Sequence, residues 1–207
     1  MNLLDMGALA QSEALANRSL SAVELMEATL DRIEAVNGRV NAIVSMVARD
    51  VLLDQARAAD AGRRRGWLHG IPIAIKDLSD AKGLPTSKGS PLFAGSIAEN
   101  DSLFVARIKA AGAIVIGKTN TPEFGLGSHT FNPVHGATRN PYDLSRSAGG
   151  SSGGAAAALA SGMLSIADGS DMMGSLRNPA GWNNVYGMRP SWGTVPAEPE
   201  GDMYLHQ

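Results

Sequence analysis

Apolar residues in the first third of the chain recur at helical spacing. Val23, Leu25, Met26, Leu30, Ile33 and Val36 form one stripe, opened by a capping box in which Ser21 precedes Glu24 by three residues. Gly38 is expected to stop that helix. A second amphipathic run, residues 48–61, carries Val51, Leu52, Leu53 and Ala56 on one side and ends before Gly62. These helices read as a cover, residues 1–64, over a core that begins at about residue 65. The pattern then changes. Ile71-Pro72-Ile73-Ala74-Ile75 is a short apolar run between Gly70 and Asp77, which suits a buried strand and leaves Lys76 at its end. A helix is predicted over 102–111, stopped by Gly112, and a second apolar run at 113–116 leads to another lysine, Lys118. Strand, helix, strand at this spacing predicts an α/β core over 65–207, a mixed, largely parallel sheet covered by helices, in one domain overall.

Composition narrows the chemistry. At 207 residues and 44% hydrophobic the chain can bury a core. A net charge of -2, with both signs mixed along the sequence, offers no face built for nucleic acid or anionic lipid. Arg63 to Arg65 read as a solvated helix end. With no cysteine, disulfides, thiolate metal sites and a cysteine nucleophile are all excluded. The first twenty residues lack a basic segment followed by an apolar one, and no 18-residue apolar run occurs, so a cytoplasmic protein without membrane spans is expected.

The segment from Gly125 to Gly193 holds 13 of the 24 glycines, which marks it as the place for unusual backbone and a site. Three familiar patterns fail on their context. Gly112 to Thr119 reads GAIVIGKT, the letters of a phosphate-binding loop, but its variable residues are strand material and the order is helix before strand. Ile73-Ala74-Ile75-Lys76 looks like a kinase strand, without the sequences that accompany it in kinases. Gly150-Ser151-Ser152-Gly153-Gly154 fits a nucleophile elbow centred on Ser152, but turn-forming residues precede it and only His206 lies downstream. His69, His129 and His135 have neither metal-ligand spacing nor nearby carboxylates, so loop or packing roles are expected, with no metal and no cofactor.

One set of motifs is long and ordered: HGIPIAIKDL at 69–78, GKTNTPEF at 117–124, AGGSSGGAAAA at 148–158, Asp168-Gly-Ser-Asp, Gly174-Ser-Leu-Arg-Asn-Pro-Ala and Gly187-Met-Arg-Pro. With these the sequence resembles the amidase signature family. The resemblance implies that family's α/β fold and a catalytic set of a serine nucleophile, a second serine on a cis peptide and a lysine, matched here by Ser175, Ser151 and Lys76. It implies hydrolysis of a small carboxamide through an acyl-serine, without metal or cofactor.

The chemistry is sound without histidine. A serine hydroxyl needs a base in hydrogen-bond reach, and a lysine serves only when neutral. Lowering its pKa by roughly three units takes about 4 kcal/mol of differential solvation, which burial can impose. Ser151 then relays the proton between Ser175 and Lys76. Ser152 is expected to cap the helix that follows, and Ser170 to support the relay. The resemblance assigns the oxyanion to the backbone N–H groups of Met172, Met173, Gly174 and Ser175. Met173 stands where a second glycine is usual: either the turn tolerates a β-carbon and Met172 or Met173 lines the acyl pocket, or the hole is distorted. Arg177 is read either as a contact for a substrate carboxylate or as an ion pair with Asp171.

Family members are roughly twice this length, so the fold is expected to lack its usual C-terminal half. Exposed core surface is then expected to favour self-association or a homo-oligomer, and to leave the isolated chain weakly active or inactive. Two other readings remain: a non-catalytic module that keeps the fold, and the amidase component of a glutamine-dependent amidotransferase complex.

Overall fold

The computed structural model describes residues 3–196. His206 lies outside them. Helix α1 (Ala8–Ala16) precedes α2 (Ala22–Val40), which opens on the expected capping box: Ser21 accepts from the Glu24 N–H, and the Glu24 carboxylate accepts from the Ser21 N–H. Asp60, near the end of α3 (Arg49–Ala61), adds acceptors for the Ala22 and Val23 N–H groups at 2.7 and 3.1 Å. Gly38 does not stop α2, which runs on to Val40. The chain turns at Asn41, whose φ of 53° is left-handed, while the Asn37 amide holds the Ala42 and Ile43 N–H groups. An asparagine pair closes this helix, and glycine was the wrong marker. On α3, Leu52 and Ala56 are buried, but Val51 faces solvent and is no part of the apolar side.

Strand β1 (Ile43–Met46) follows α2 directly; being four residues long, it gave no pattern to read. Strands β2 (Pro72–Lys76) and β3 (Ile114–Thr119) are parallel, joined through α4 (Leu103–Ala110), and β1 runs antiparallel to the other edge of β3, giving the order β1-β3-β2. The sheet is thus mixed, and every residue of β2 and β3 is buried. Ala74, Ile114 and Ile116 pack with Met26, Leu30, Leu52 and Ala56 on one side, while Ile73, Ile75 and Val115 pack with Val105 and Leu68 on the other. A small hairpin, β4 (Phe131–Asn132) and β5 (Gly136–Ala137), leads to α5 (Gly153–Ala160) and α6 (Arg177–Trp182).

Helix α5 reaches the sheet by way of a bare glycine. A β-carbon at Gly154 would stand 2.3 Å from the Asn120 nitrogen and 2.7 Å from the Ala42 carbonyl, so backbone meets backbone there. Over residues 172–195 several large apolar side chains are exposed, among them Met173, Tyr186, Met188 and Trp192. Among the described residues no helix is long and apolar enough to cross a membrane.

Two glycines therefore respond oppositely to the same change. Gly154→Ala should lower stability by about 3 kcal/mol or abolish folding, since neither backbone neighbour can retreat. Gly38→Ala, with nothing within 4 Å of its β-carbon, should raise stability by up to about 1 kcal/mol; urea unfolding of the two variants measures both.

Candidate active site

Parallel pairing fixes which way each lysine faces. Lys76 is paired with Thr119, and Ile75 with Lys118, so the pleat sends Lys76 and Lys118 to opposite sides of the sheet. Lys118 is wholly buried; its Nζ donates to the Ser79 carbonyl and to Thr86 Oγ1 (3.1 Å), and lies 3.7 Å from the Asp77 carboxylate. The phosphate-loop letters around it therefore form a strand and a structural lysine.

Among the described residues the Lys76 amine hydrogen-bonds only to hydroxyls. Its Nζ lies 2.6 Å from Ser151 Oγ, 2.9 Å from Ser152 Oγ and 2.9 Å from Ser170 Oγ, and the residue is 1% exposed. Burial brings its pKa down to about 7, against the opposing charges of Asp168 and Asp171. The Gly150–Ser151 peptide is cis. Ser152 precedes α5 but makes no side-chain cap. Its hydroxyl instead faces Lys76, donates to the Ser170 carbonyl (3.3 Å) and accepts the Ser170 N–H (3.2 Å), because the amine beneath it competes for the same oxygen.

Ser175 stands on the next turn. Its carbonyl accepts the Ser152 N–H at 2.9 Å, which ties it to the serine pair, while its own hydroxyl makes no hydrogen bond to a described residue. Asp171 organises that turn. Its buried carboxylate accepts the N–H groups of Gly174 (2.7 Å), Leu176 (3.2 Å) and Arg177 (3.1 Å), together with Nε and Nη2 of Arg177 at 2.9 Å each. The Arg177 guanidinium, with these backbone donors, holds the Asp171 carboxyl well below the usual carboxylate range. Arg177 is thus the ion-pair partner of Asp171, and its fork is occupied.

The same geometry removes Gly174 from the N–H groups expected to hold an oxyanion. Gly174, with φ +114° and Asn178 2.8 Å from where a β-carbon would stand, has to be glycine, and its N–H points at Asp171. The N–H groups of Met172, Met173 and Ser175 have no acceptor among the described residues. Met173 avoids the left-handed region and its side chain is 86% exposed, so the turn accommodates its β-carbon.

Two residues to which the sequence assigned no role hold the site together. Asn183 is fully buried and donates to the carbonyls of Ala148 and Pro179, both at 2.7 Å, joining α6 to the start of the glycine-rich turn. Asp168 accepts the Lys76 N–H at 2.8 Å. The histidines lie elsewhere: His129 bonds Ser147 and packs edge-on against Trp182, His135 faces Ser87, and His69 faces the Ala59 carbonyl. Among the described residues no three His, Asp or Glu side chains are grouped as a metal site requires.

A sheet that delivers a buried lysine to serines on two glycine-rich turns is the framework of an amidase signature enzyme, and sequence comparison agrees. The profile described as Amidase matches residues 24–205, and the chain belongs to this family. It is 47% identical to an indoleacetamide hydrolase of Bradyrhizobium diazoefficiens over 89% of this chain and 36% of that protein. It is 43% identical to a subunit of the glutamyl-tRNA(Gln) amidotransferase of Anaeromyxobacter dehalogenans, over 87% of this chain and 37% of that one. The crystal structure of a bacterial aryl acylamidase of the amidase signature family superposes with a TM-score of 0.87 at 33% identity, over 95% of this chain and 42% of the other. The chain therefore spans about two fifths of the length of these relatives.

The turn carrying Ser175 depends on one carboxylate. Asp171→Ala leaves three backbone donors and a guanidinium without their acceptor, and should cost about 3 kcal/mol or more in urea unfolding.

Proposed function

We propose that the chain carries the catalytic groups of an amidase that cleaves a small carboxamide through an acyl-Ser175 intermediate. The observation that carries the reading is the buried Lys76 amine in hydrogen-bond contact with Ser151, with a pKa brought down to about 7. At neutral pH a large share of such an amine is uncharged and has a lone pair to offer.

The hydrogen-bond pattern supports a relay through Ser151. A neutral amine keeps two N–H donors and one acceptor position. Ser152 directs its hydroxyl hydrogen at the Ser170 carbonyl, so it accepts from Lys76. With Ser170 accepting the second N–H, Ser151, at the shortest distance, is assigned as the hydroxyl that turns to donate to the lone pair once the amine is neutral. Its oxygen is then ready to take the proton of Ser175 as that hydroxyl attacks the substrate carbonyl. The tetrahedral oxyanion is met by the free N–H groups of the 172–175 turn. Collapse breaks the C–N bond, with the proton returned through Ser151 to the leaving amine, and water activated by the same relay then hydrolyses the ester.

Hydrolase and amidotransferase relatives stand at similar identity, so the released amine either leaves to solvent or passes to a partner enzyme, while water takes the acyl group in both cases. A small fluorophosphonate tests the nucleophile directly, since it reacts without a complete acyl pocket. It should label Ser175, and Ser175→Ala should abolish labelling. The labelling rate should climb about tenfold per pH unit below pH 7 and level off above it, because only neutral Lys76 accepts the proton. Lys76→Met should slow labelling at the plateau by about 10²-fold or more. Silence from a folded protein would favour the non-catalytic module.

A further inference from the structure

The mechanism above leaves one ionisable group beside Lys76 without a task. Asp168 sits midway along the loop between α5 and α6, and its Oδ1 accepts the backbone N–H of Lys76 at 2.8 Å. Two residues later Ser170 Oγ touches the Lys76 amine itself, and the Ser170 N–H is held by Ser152. The segment 168–170 is thus clamped along the last residue of β2, at its backbone and at the tip of its side chain. No backbone constraint calls for a carboxylate here: a neutral amide would accept the same N–H.

We infer that Asp168 is a positioning residue whose carboxylate, fixed on the Lys76 N–H, sets how tightly the Lys76 amine holds its proton. Burial alone favours the neutral amine, and an adjacent anion restores part of the affinity for a proton. The charged neighbours are few. Strand β2 contributes Lys76 and, turned toward Lys118, Asp77; β3 contributes Lys118; the 171–177 turn contributes Asp171, already engaged by Arg177 with Arg189 beyond it; α5 contributes none. The carboxyl of Asp168 is itself raised to about 6 by burial, opposed by the Lys76 N–H and by the charges of Lys76 and Lys118. Two coupled groups with values near 6 and 7 give an ion pair only in a narrow window. Below it Asp168 is neutral; above it Lys76 is neutral and ready to act as base. Asp168 also lines a cleft of about 190 Å³ with Ser152, Gly169, Leu176, Tyr186 and Met188, which gives its carboxyl a route for proton exchange with solvent.

This inference rests on Lys76 being the base proposed above, but its test does not require turnover. The chain has five lysines, so lysine labelled with ¹³C at Cε gives few resonances, and that of Lys76 is identified by its loss in Lys76→Met. In the wild-type protein the Lys76 signal should titrate near pH 7 with a smaller inflection near pH 6 as Asp168 gains its proton. Asp168→Asn keeps the acceptor for the N–H and removes the charge. It should lower the Lys76 midpoint by about one pH unit, tenfold in the acid constant, and erase the lower inflection. Asp168→Glu should move the midpoint back toward the wild-type value. A purely structural Asp168 predicts an unchanged midpoint in Asp168→Asn, and that result would overturn the inference. So would a wild-type curve without the lower inflection, which decides the matter even where Asp168→Asn does not fold. Failure of Ser175 to label would sink the proposed reaction while leaving this titration to stand on its own.

Discussion

A primary amine stripped of water is the constraint around which this molecule is arranged. Burying a lysine disfavours its charged form, and the site offers it three neutral hydroxyls instead of a carboxylate in direct contact. Lys118 shows the alternative on the other side of the same sheet. It is equally buried, and burial lowers its pKa too, but it has a backbone carbonyl, a threonine and the Asp77 carboxylate to compensate its charge. Two lysines at the ends of neighbouring strands thus receive different chemistry from their partners, and only the pleat of the sheet decides which partners each one meets.

Around the amine, the glycine-rich half of the chain is fixed by side chains more than by regular structure. Asp171 gathers three N–H groups of its own turn and Arg177; Asn183 spans from α6 to Ala148; Thr130 accepts the Gly153 N–H at 3.1 Å. Each satisfies buried backbone that no helix or strand ladder would otherwise pair. The segment can therefore hold unusual turns in place without a long element of its own.

Much of this was legible in the chain. The α2 capping box, the β2–α4–β3 unit and the glycine stop at Gly112 follow from local pattern, and the structure has each of them. The resemblance also led to Lys76 and Ser151, which the fold brings together, and to Ser175, which it places beside Ser152. What escaped were contacts between distant segments. Asn41 rather than Gly38 ends α2 because the chain must turn into β1 there. Ser152 abandons its cap because Lys76, 76 positions earlier, lies beneath it, and Gly174 gives its N–H to Asp171. Asp168 had no visible purpose because its partner is a backbone group 92 residues away. None of these is encoded in spacing, since each depends on what the folded sheet puts alongside.

Ser152 links the two ends of the site in a further way. Its amide grips the carbonyl of Ser175 while its hydroxyl rests on the amine, so one residue works as a rigid spacer between the turn of 171–176 and the tip of β2. That turn cannot swing outward without dragging the amine's surroundings along. The opposite rim of the turn, where Met172 and Met173 are exposed, carries no such tie, so movement of this segment is confined to the side away from the amine.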